Sequence, residues 1–222
     1  MLSAAQINAF ERYQTELEKW NQRASLTAIR EPEDVRRKLF LESLGCLLAM
    51  QGTAMDKVID VGSGAGIPGL PLKIVQPEMG LTLVDSVGKK TKFTEHMVDV
   101  LGLEEVEILN LRAEQVGRMA SHRELYDWAL ARALAPMPVL VEYLLPLVRV
   151  GGRVLAQKGK DAKEEVQLAS KAIKLLGGKF QELIAVDIPG ESPQHYLVVI
   201  QKVAETLEQY PREVGVAKKR PL

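Results

Sequence analysis

The chain has 222 residues, with 29 basic and 29 acidic side chains, 46% hydrophobic residues and 26% charged ones. That length suits one α/β domain with at most a small appendage, and the apolar fraction excludes intrinsic disorder. Zero formal charge excludes a uniformly basic nucleic-acid binder, so any such binding must rest on local clusters.

In chain order, residues 3–23 read as an amphipathic helix. Ile7, Phe10, Tyr13, Leu17 and Trp20 recur at three- and four-residue spacing, and Ser3 with Gln6 makes a capping-box pattern. A second helix is expected from Pro32, with Glu33 and Asp34 in its first turn. It should carry Val35, Leu39, Leu41, Leu44, Leu47 and Leu48 toward a core. From residue 57 short apolar runs alternate with amphipathic ones. Strands are expected at 58–61, 81–84, 106–109, 128–131 and 153–156. Helices are expected from about Pro68 and at 89–101, 113–120, 137–148 and 162–176. Two extended runs close the pattern, 179–186 and 195–201, joined by a Pro189-Gly190 turn.

Alternating strand and helix units imply a parallel sheet with helices on both faces. The closing pair implies an antiparallel addition at one edge. The expected fold is α/β, a seven-stranded Rossmann-like sheet of the class I methyltransferase type with an N-terminal helical extension. The expected divisions are residues 1–52 for the extension, 53–203 for the sheet domain and 204–222 for a basic tail.

The most informative stretch is Asp60-Val61-Gly62-Ser63-Gly64-Ala65-Gly66-Ile67-Pro68-Gly69. Alternate glycines directly after a strand let the backbone turn sharply and approach a ligand closely. A bare turn needs fewer. Two ligands compete for the loop. Gly64, Gly66 and Gly69 satisfy G-x-G-x-x-G, the dinucleotide fingerprint, which suits an NAD(P)-dependent oxidoreductase. Asp60 argues the other way. A carboxylate there repels a pyrophosphate and attracts a ligand carrying an ammonium and a sulfonium, as S-adenosylmethionine does.

Asp85 ends the next strand and leads Ser86. An acid in that place accepts both hydroxyls of a ribose, which both cofactors carry. Ala113-Glu114 follows the third strand, where an adenine would lie edge-on; Glu114 could equally be a first-turn helix acid. Arg132 ends the fourth strand, at the carboxyl edge where open α/β sheets bind ligands. No G-K-[ST] follows the glycines, which excludes a Walker loop.

Metal chemistry is not expected. Cys46 is the sole cysteine, and His96, His122 and His195 have no metal-ligand spacing. No basic leader precedes an apolar run, and no stretch reaches the ~18 apolar residues of a membrane span. A soluble, cytoplasmic protein is expected.

Taken together, these residues resemble the bacterial small-subunit rRNA guanine-N7 methyltransferase family RsmG, also called the glucose-inhibited division protein B family. The resemblance runs over nearly the whole chain. It includes Trp20-Asn21, Leu26-Thr27-Ala28-Ile29, the block from Asp60 to Leu72, Asp85-Ser86 with Lys89-Lys90, Arg112-Ala113-Glu114, Arg132-Ala133 and Lys158-Gly159. It implies S-adenosylmethionine as cofactor and N7 of one guanine in small-subunit ribosomal RNA as acceptor. It implies that Gly62, Ile67, Ala113, Glu114 and Arg132 hold the cofactor, with Asp85 on the ribose. The chain departs from the family at Ser25, usually Asn, and at Leu39, usually His. Glu42-Ser43 replaces Asp-Ser, and Val216-Ala217 stands where Thr-Pro is common.

A neutral protein must grip RNA, free or in a pre-ribosomal particle, through clusters. Arg30, Arg36, Arg37 and Lys38 form one candidate, and Lys89, Lys90 and Lys92 a second. The tail with Arg212, Lys218, Lys219 and Arg220 is a third, read as having no packing role. Arg132 and Lys158 read as clamps on cofactor or RNA. No catalytic acid or base is expected, because guanine N7 carries a lone pair and no proton. A non-catalytic RNA-binding Rossmann module is the remaining alternative.

Overall fold

The computed structural model describes residues 1–188 and 195–222. The Pro189-Gly190 turn lies outside them. Strands β1 (Lys57–Val61), β2 (Gly80–Val84), β3 (Val106–Leu109), β4 (Tyr126–Arg132), β5 (Val148–Lys158), β6 (Gly178–Val186) and β7 (His195–Lys202) form one sheet in the order β3-β2-β1-β4-β5-β7-β6. The pairings among β1 to β5 are parallel, and β7 runs antiparallel to both β5 and β6. The α/β expectation is met, including the antiparallel pair at one edge.

Side-chain alternation along each strand divides the core into two layers. Val58, Leu81, Leu83, Trp128, Leu130, Leu155 and Val199 face one side. There they meet α1 (Ala4–Ala24) through Tyr13 and Leu17, α5 (Gly69–Val75) through Leu70 and Leu72, and α6 (Gly88–Leu101) through Phe93. Ile59, Val61, Ala129, Ala131, Val154, Val198 and Ile200 face the other. That side packs on α8 (Met137–Leu144), α9 (Ala162–Leu168) and α10 (Ser170–Leu175). The N-terminal helix therefore belongs to one face of the domain. Its start is fixed by the expected capping box, Gln6 N–H to Ser3 Oγ at 3.2 Å and Ser3 N–H to Gln6 Oε1 at 2.9 Å.

Several boundaries differ from the sequence reading, each for a local reason. The helix from Pro32 is not uniform: α2 (Pro32–Asp34) widens to a π-helix at Val35–Leu41 before α3 (Glu42–Gly45) and α4 (Leu47–Met50). The extra residue per turn rotates the apolar face. Leu39 and Phe40 are buried side by side, whereas Leu41 and Leu48 are exposed. The helix expected to reach 148 stops at Leu144, and a 3-10 turn over Leu145–Leu147 carries Pro146, which has no N–H to extend an α-helix. β5 then begins at Val148 and passes Gly151 and Gly152 with a register irregularity against β4. A side chain at Gly152 would meet the Asp127 and Tyr126 carbonyl oxygens at 2.8 and 2.9 Å. The two glycines thus mark close strand contact where the sequence reading placed a break. The helix expected over 162–176 is interrupted at Ala169, and the one expected over 113–120 is the single turn α7 (Ala113–Val116).

The tail is the largest correction. Tyr210 and Ala217 are buried in the core layer of α8, and α11 (Val216–Lys219) closes the chain. The Arg123 guanidinium donates to the Gly117, Tyr210, Thr206 and Leu207 carbonyls at 3.0, 2.7, 2.6 and 3.2 Å. Residues 204–222 are a packed part of the domain.

Candidate cofactor site

A cleft of about 650 Å³ opens at the carboxyl ends of β1, β2, β3 and β4. Its lining includes Gly62, Asp85, Ser86, Ala113 and Glu114, five of the cofactor residues expected from sequence. A larger groove of about 920 Å³, between α9, α10 and β6, is lined by such residues as Val166, Ile173, Phe180 and Leu183. It contains none of the sequence-predicted site residues.

The glycine loop is built for close approach. Gly62, Gly64 and Gly66 all hold positive φ, at 74°, 59° and 84°. A Cβ on Gly62 would lie 2.6 Å from Leu134 Cδ1, at the cleft wall, whereas one on Gly64 would meet nothing nearer than the Gly62 carbonyl oxygen at 3.9 Å. Gly66 serves packing: its Cβ would lie 2.4 Å from Leu70 Cδ1 and 3.0 Å from the Tyr13 hydroxyl. The Tyr13 hydroxyl, buried in α1, donates to the Ala65 carbonyl, so the N-terminal helix holds the loop from behind.

Asp85 joins that loop to the next one. Oδ2 accepts from Gly64 N–H at 2.9 Å and Oδ1 from Val87 N–H at 2.9 Å, with Lys90 Nζ 3.7 Å away. A carboxylate has about four acceptor positions, so two remain for a ribose diol. Glu114 is buried beside it, accepting from Gly215 N–H at 2.9 Å. Burial and the nearby Glu114 and Glu142 push the Tyr143 hydroxyl, on the same wall, up to about 12.

Asp60 departs from its expected role. It is fully buried and does not line the cleft. Oδ2 accepts from Gly69 N–H at 2.9 Å, satisfying the first turn of α5, and Oδ1 has no hydrogen-bond partner. Burial pushes this carboxyl up to about 7, against the pull of the Gly69 N–H, while Asp85 raises it further and Arg132 lowers it. A direct ion pair between Asp60 and a bound ammonium is therefore not what this geometry offers.

Gly64, Gly66, Ile67 and Arg132 also lie outside the lining, although Arg132 directly precedes the wall residues 133–136. Arg132 Nη2 lies 3.0 Å from Glu42 Oε2, and Glu42 Oε1 lies 3.0 Å from His195 Nδ1. Gln157 Nε2 donates to the Glu42 carbonyl at 2.8 Å. Arg132 Nη1 and Gln157 Oε1 are buried without a hydrogen-bond partner at this sheet edge.

The basic candidates divide into two groups. Arg30, Arg36, Lys89, Lys92, Lys218, Lys219 and Arg220 are exposed, and Lys218 stands on the cleft rim, as does the half-buried Lys90. The others are engaged within the fold. Arg37 and Lys38 pair with Asp34. Lys158 Nζ reaches Glu165 at 2.6 Å and the Ala135 carbonyl at 2.7 Å, and Arg212 pairs with the fully buried Glu142. Lys158 and Arg212, read from sequence as RNA contacts, are structural cations here.

Sequence reasoning missed Leu134, Val139, Tyr143, Val214 and Gly215 as cleft residues. Only Gly215, by its residue type, carries a sequence signal. Among the described residues no group of three or more His, Cys, Asp or Glu could hold a metal ion. Among them, too, no helix is long and apolar enough to cross a membrane.

Residues 6–192 match the family model described as "rRNA small subunit methyltransferase G". A protein of Roseiflexus sp. (strain RS-1) named Ribosomal RNA small subunit methyltransferase G is 52% identical over 221 residues, covering 100% of this chain and 94% of its own. One of Alkaliphilus oremlandii (strain OhILAs) with the same name is 45% identical, with 100% and 92% covered. Among solved structures, a putative O-methyltransferase from Klebsiella pneumoniae superposes with a TM-score of 0.60 at 12% identity, covering 86% of this chain and 90% of that one. TrmN from Thermus thermophilus gives 0.56 at 18% identity, covering 72% and 48%. These structural likenesses bear on the fold.

Proposed function

The chain belongs to the rRNA small subunit methyltransferase G family, and we propose that it methylates N7 of one guanine in small-subunit ribosomal RNA, using S-adenosylmethionine. The observation that carries the ribose site is Asp85, and membership of a methyltransferase family selects S-adenosylmethionine over a dinucleotide. Its carboxylate braces the glycine loop through Gly64 and still faces a cleft whose floor at Gly62 has no room for a side chain. When bound, S-adenosylmethionine supplies a methyl group activated by a sulfonium. Asp85 is assigned to the ribose, Ala113 and Glu114 to the adenine, and Gly62 with Leu134 to the methyl-bearing end. Arg132, held by Glu42, is assigned to clamping substrate at the sheet edge.

Guanine N7 needs no deprotonation before it attacks, so the chain's task is alignment and exclusion of water. Holding two reactants in near-attack geometry can supply on the order of 7–11 kcal/mol. The RNA is assigned to the exposed cations Arg36, Lys89, Lys218, Lys219 and Arg220. It is taken either as free rRNA or within a pre-ribosomal particle, in the cytoplasm.

Calorimetry with S-adenosylhomocysteine and NADH, followed by methyl transfer to small-subunit rRNA, borohydride reduction and aniline cleavage at the modified base, and primer extension to the cut, tests the assignment. Binding of the first ligand alone and one stop at a guanine are expected. NADH binding, or transfer to another atom, would overturn it.

A further inference from the structure

We propose that residues 211–222 form the adenosine-side wall of the cofactor cleft and set its affinity; this rests on reading the cleft as an S-adenosylmethionine site. The segment is fixed by one buried carboxylate. Glu142 on α8 is fully buried. It accepts from Arg212 N–H at 2.9 Å, Arg212 Nε at 2.8 Å and Arg212 Nη2 at 2.6 Å. The same guanidinium donates to the Arg220 carbonyl at 2.9 Å, so one side chain ties the beginning of the segment to its end. Such forked, charge-assisted bonding fixes orientation as well as position. Arg118 adds a bond from Nε to the Pro211 carbonyl at 2.8 Å and an ion pair to Glu213.

The anchored segment then turns into the cleft. Gly215, at φ 81°, directly precedes α11 and donates its N–H to Glu114 Oε1 at 2.9 Å. Val214, Gly215 and Lys218 therefore line the same cleft as Asp85 and Glu114. Those two acids follow β2 and β3, the ribose and adenine positions of the proposed function. The methyl-bearing end lies at Gly62 and Leu134. Val214 is 50% exposed although it lines a cleft, an apolar side chain that a planar purine would cover. A solvated RNA arm needs neither a buried carboxylate anchor nor a bond to Glu114.

The test uses full-length protein with Val214→Asp, Val214→Ile and Arg212→Lys. Affinities for S-adenosylhomocysteine and methylthioadenosine are measured by calorimetry, together with the melting temperature of the ligand-free protein. Val214→Asp is expected to weaken both ligands about tenfold or more, since burying an apolar side chain of this size contributes at least that factor. Its melting temperature should stay at the wild-type value, because the side chain is half exposed. Val214→Ile should bind as wild type does. Arg212→Lys keeps the charge but loses the fork, and should lower both affinity and melting temperature. Wild-type affinity in Val214→Asp, or a loss seen with RNA but not with methylthioadenosine, would overturn the proposal. If the wild-type protein binds neither ligand, the cofactor reading itself fails, an outcome distinct from loss in the variants alone.

Discussion

Glu42 Oε2 on α3 lies 3.0 Å from Arg132 Nη2 at the end of β4, so the N-terminal helical run holds the arginine at the carboxyl edge of the sheet. His195 on β7 shares the same carboxylate at 3.0 Å. Glu42 stands where the resembling family carries an aspartate, so that departure falls on a buried ion pair. It does not fall on an open RNA-binding surface.

Removing the carboxylate leaves a mostly buried guanidinium unpaired. Breaking a buried pair by deleting one partner costs about 3–5 kcal/mol. Glu42→Ala should lose that much in urea unfolding, and Glu42→Asp less. A loss below about 1 kcal/mol would show that the pair does not hold Arg132.

Where the strands lie was legible because period-two apolar runs and glycine punctuation are local signals. β3 is found at the expected residues, and β1, β2 and β4 within one or two. The cleft was half legible. Gly62, Asp85, Ser86 and Glu114 sit at strand ends, where sequence position maps directly to space. Residues 214, 215 and 218 reach the cleft through contacts distant in sequence, among them Arg212 with Glu142, 70 residues away. No local pattern encodes such a pair. Asp60 was misjudged for a related reason: its place at a strand end was plain, but its burial and its bond to Gly69 are properties of packing. The π-helix escaped for want of a propensity signal, and it moved Leu41 and Leu48 to the surface.

Asp60 should make stability depend on pH. Its carboxyl is pushed up to about 7 by burial, while an unfolded aspartate titrates near 3.9. Between those values the folded chain holds the extra proton. This contribution is therefore complete below about pH 4 and is lost as pH rises through about 7. At roughly 1.4 kcal/mol per pKa unit, the loss is on the order of 4 kcal/mol. Asp60→Asn, which does not titrate, should gain stability relative to wild type between pH 5 and 8 in urea unfolding. A difference that stays constant across that range would show that Asp60 does not titrate there.

Gly62 and Gly64 should respond differently to one added methyl group. Both hold positive φ, which costs an L-residue roughly 1–2 kcal/mol. Gly64→Ala meets open space and should pay only that strain. Gly62→Ala also drives a methyl to 2.6 Å from Leu134 at the cleft wall. It should therefore weaken S-adenosylhomocysteine binding more than Gly64→Ala, and lower the melting temperature at least as much. The reverse order would remove the methyl-bearing end from Gly62.

RNA binding should depend steeply on salt through the exposed cations. Each phosphate contact on a single strand contributes a slope of about −0.7 in log K against log salt. The double variant Lys219→Ala, Arg220→Ala should make the slope shallower by up to about 1.4. Arg212→Ala should lower the melting temperature instead, because its charge is already paired with Glu142. An unchanged slope in the double variant would move the RNA surface elsewhere, toward Arg36 and Lys89.

The chemistry of the acceptor atom sets the last expectation. Guanine N7 presents its lone pair at neutral pH, so no group need remove a proton before methyl transfer. Each histidine is engaged elsewhere in the fold. His96 pairs with Glu16, His122 hydrogen-bonds Tyr126, and His195 pairs with Glu42. None of the three lines the cleft. Asp60, the carboxyl that titrates near 7, is sealed beneath it against Gly69. The single-turnover rate with both substrates saturating should be nearly flat from about pH 6 to 9, as a reaction without a general base requires. The same measurement on Asp60→Asn removes any indirect effect of that carboxyl on the fold. A unit-slope rise persisting in this variant would place a base in the cleft, and alignment alone would no longer account for the reaction.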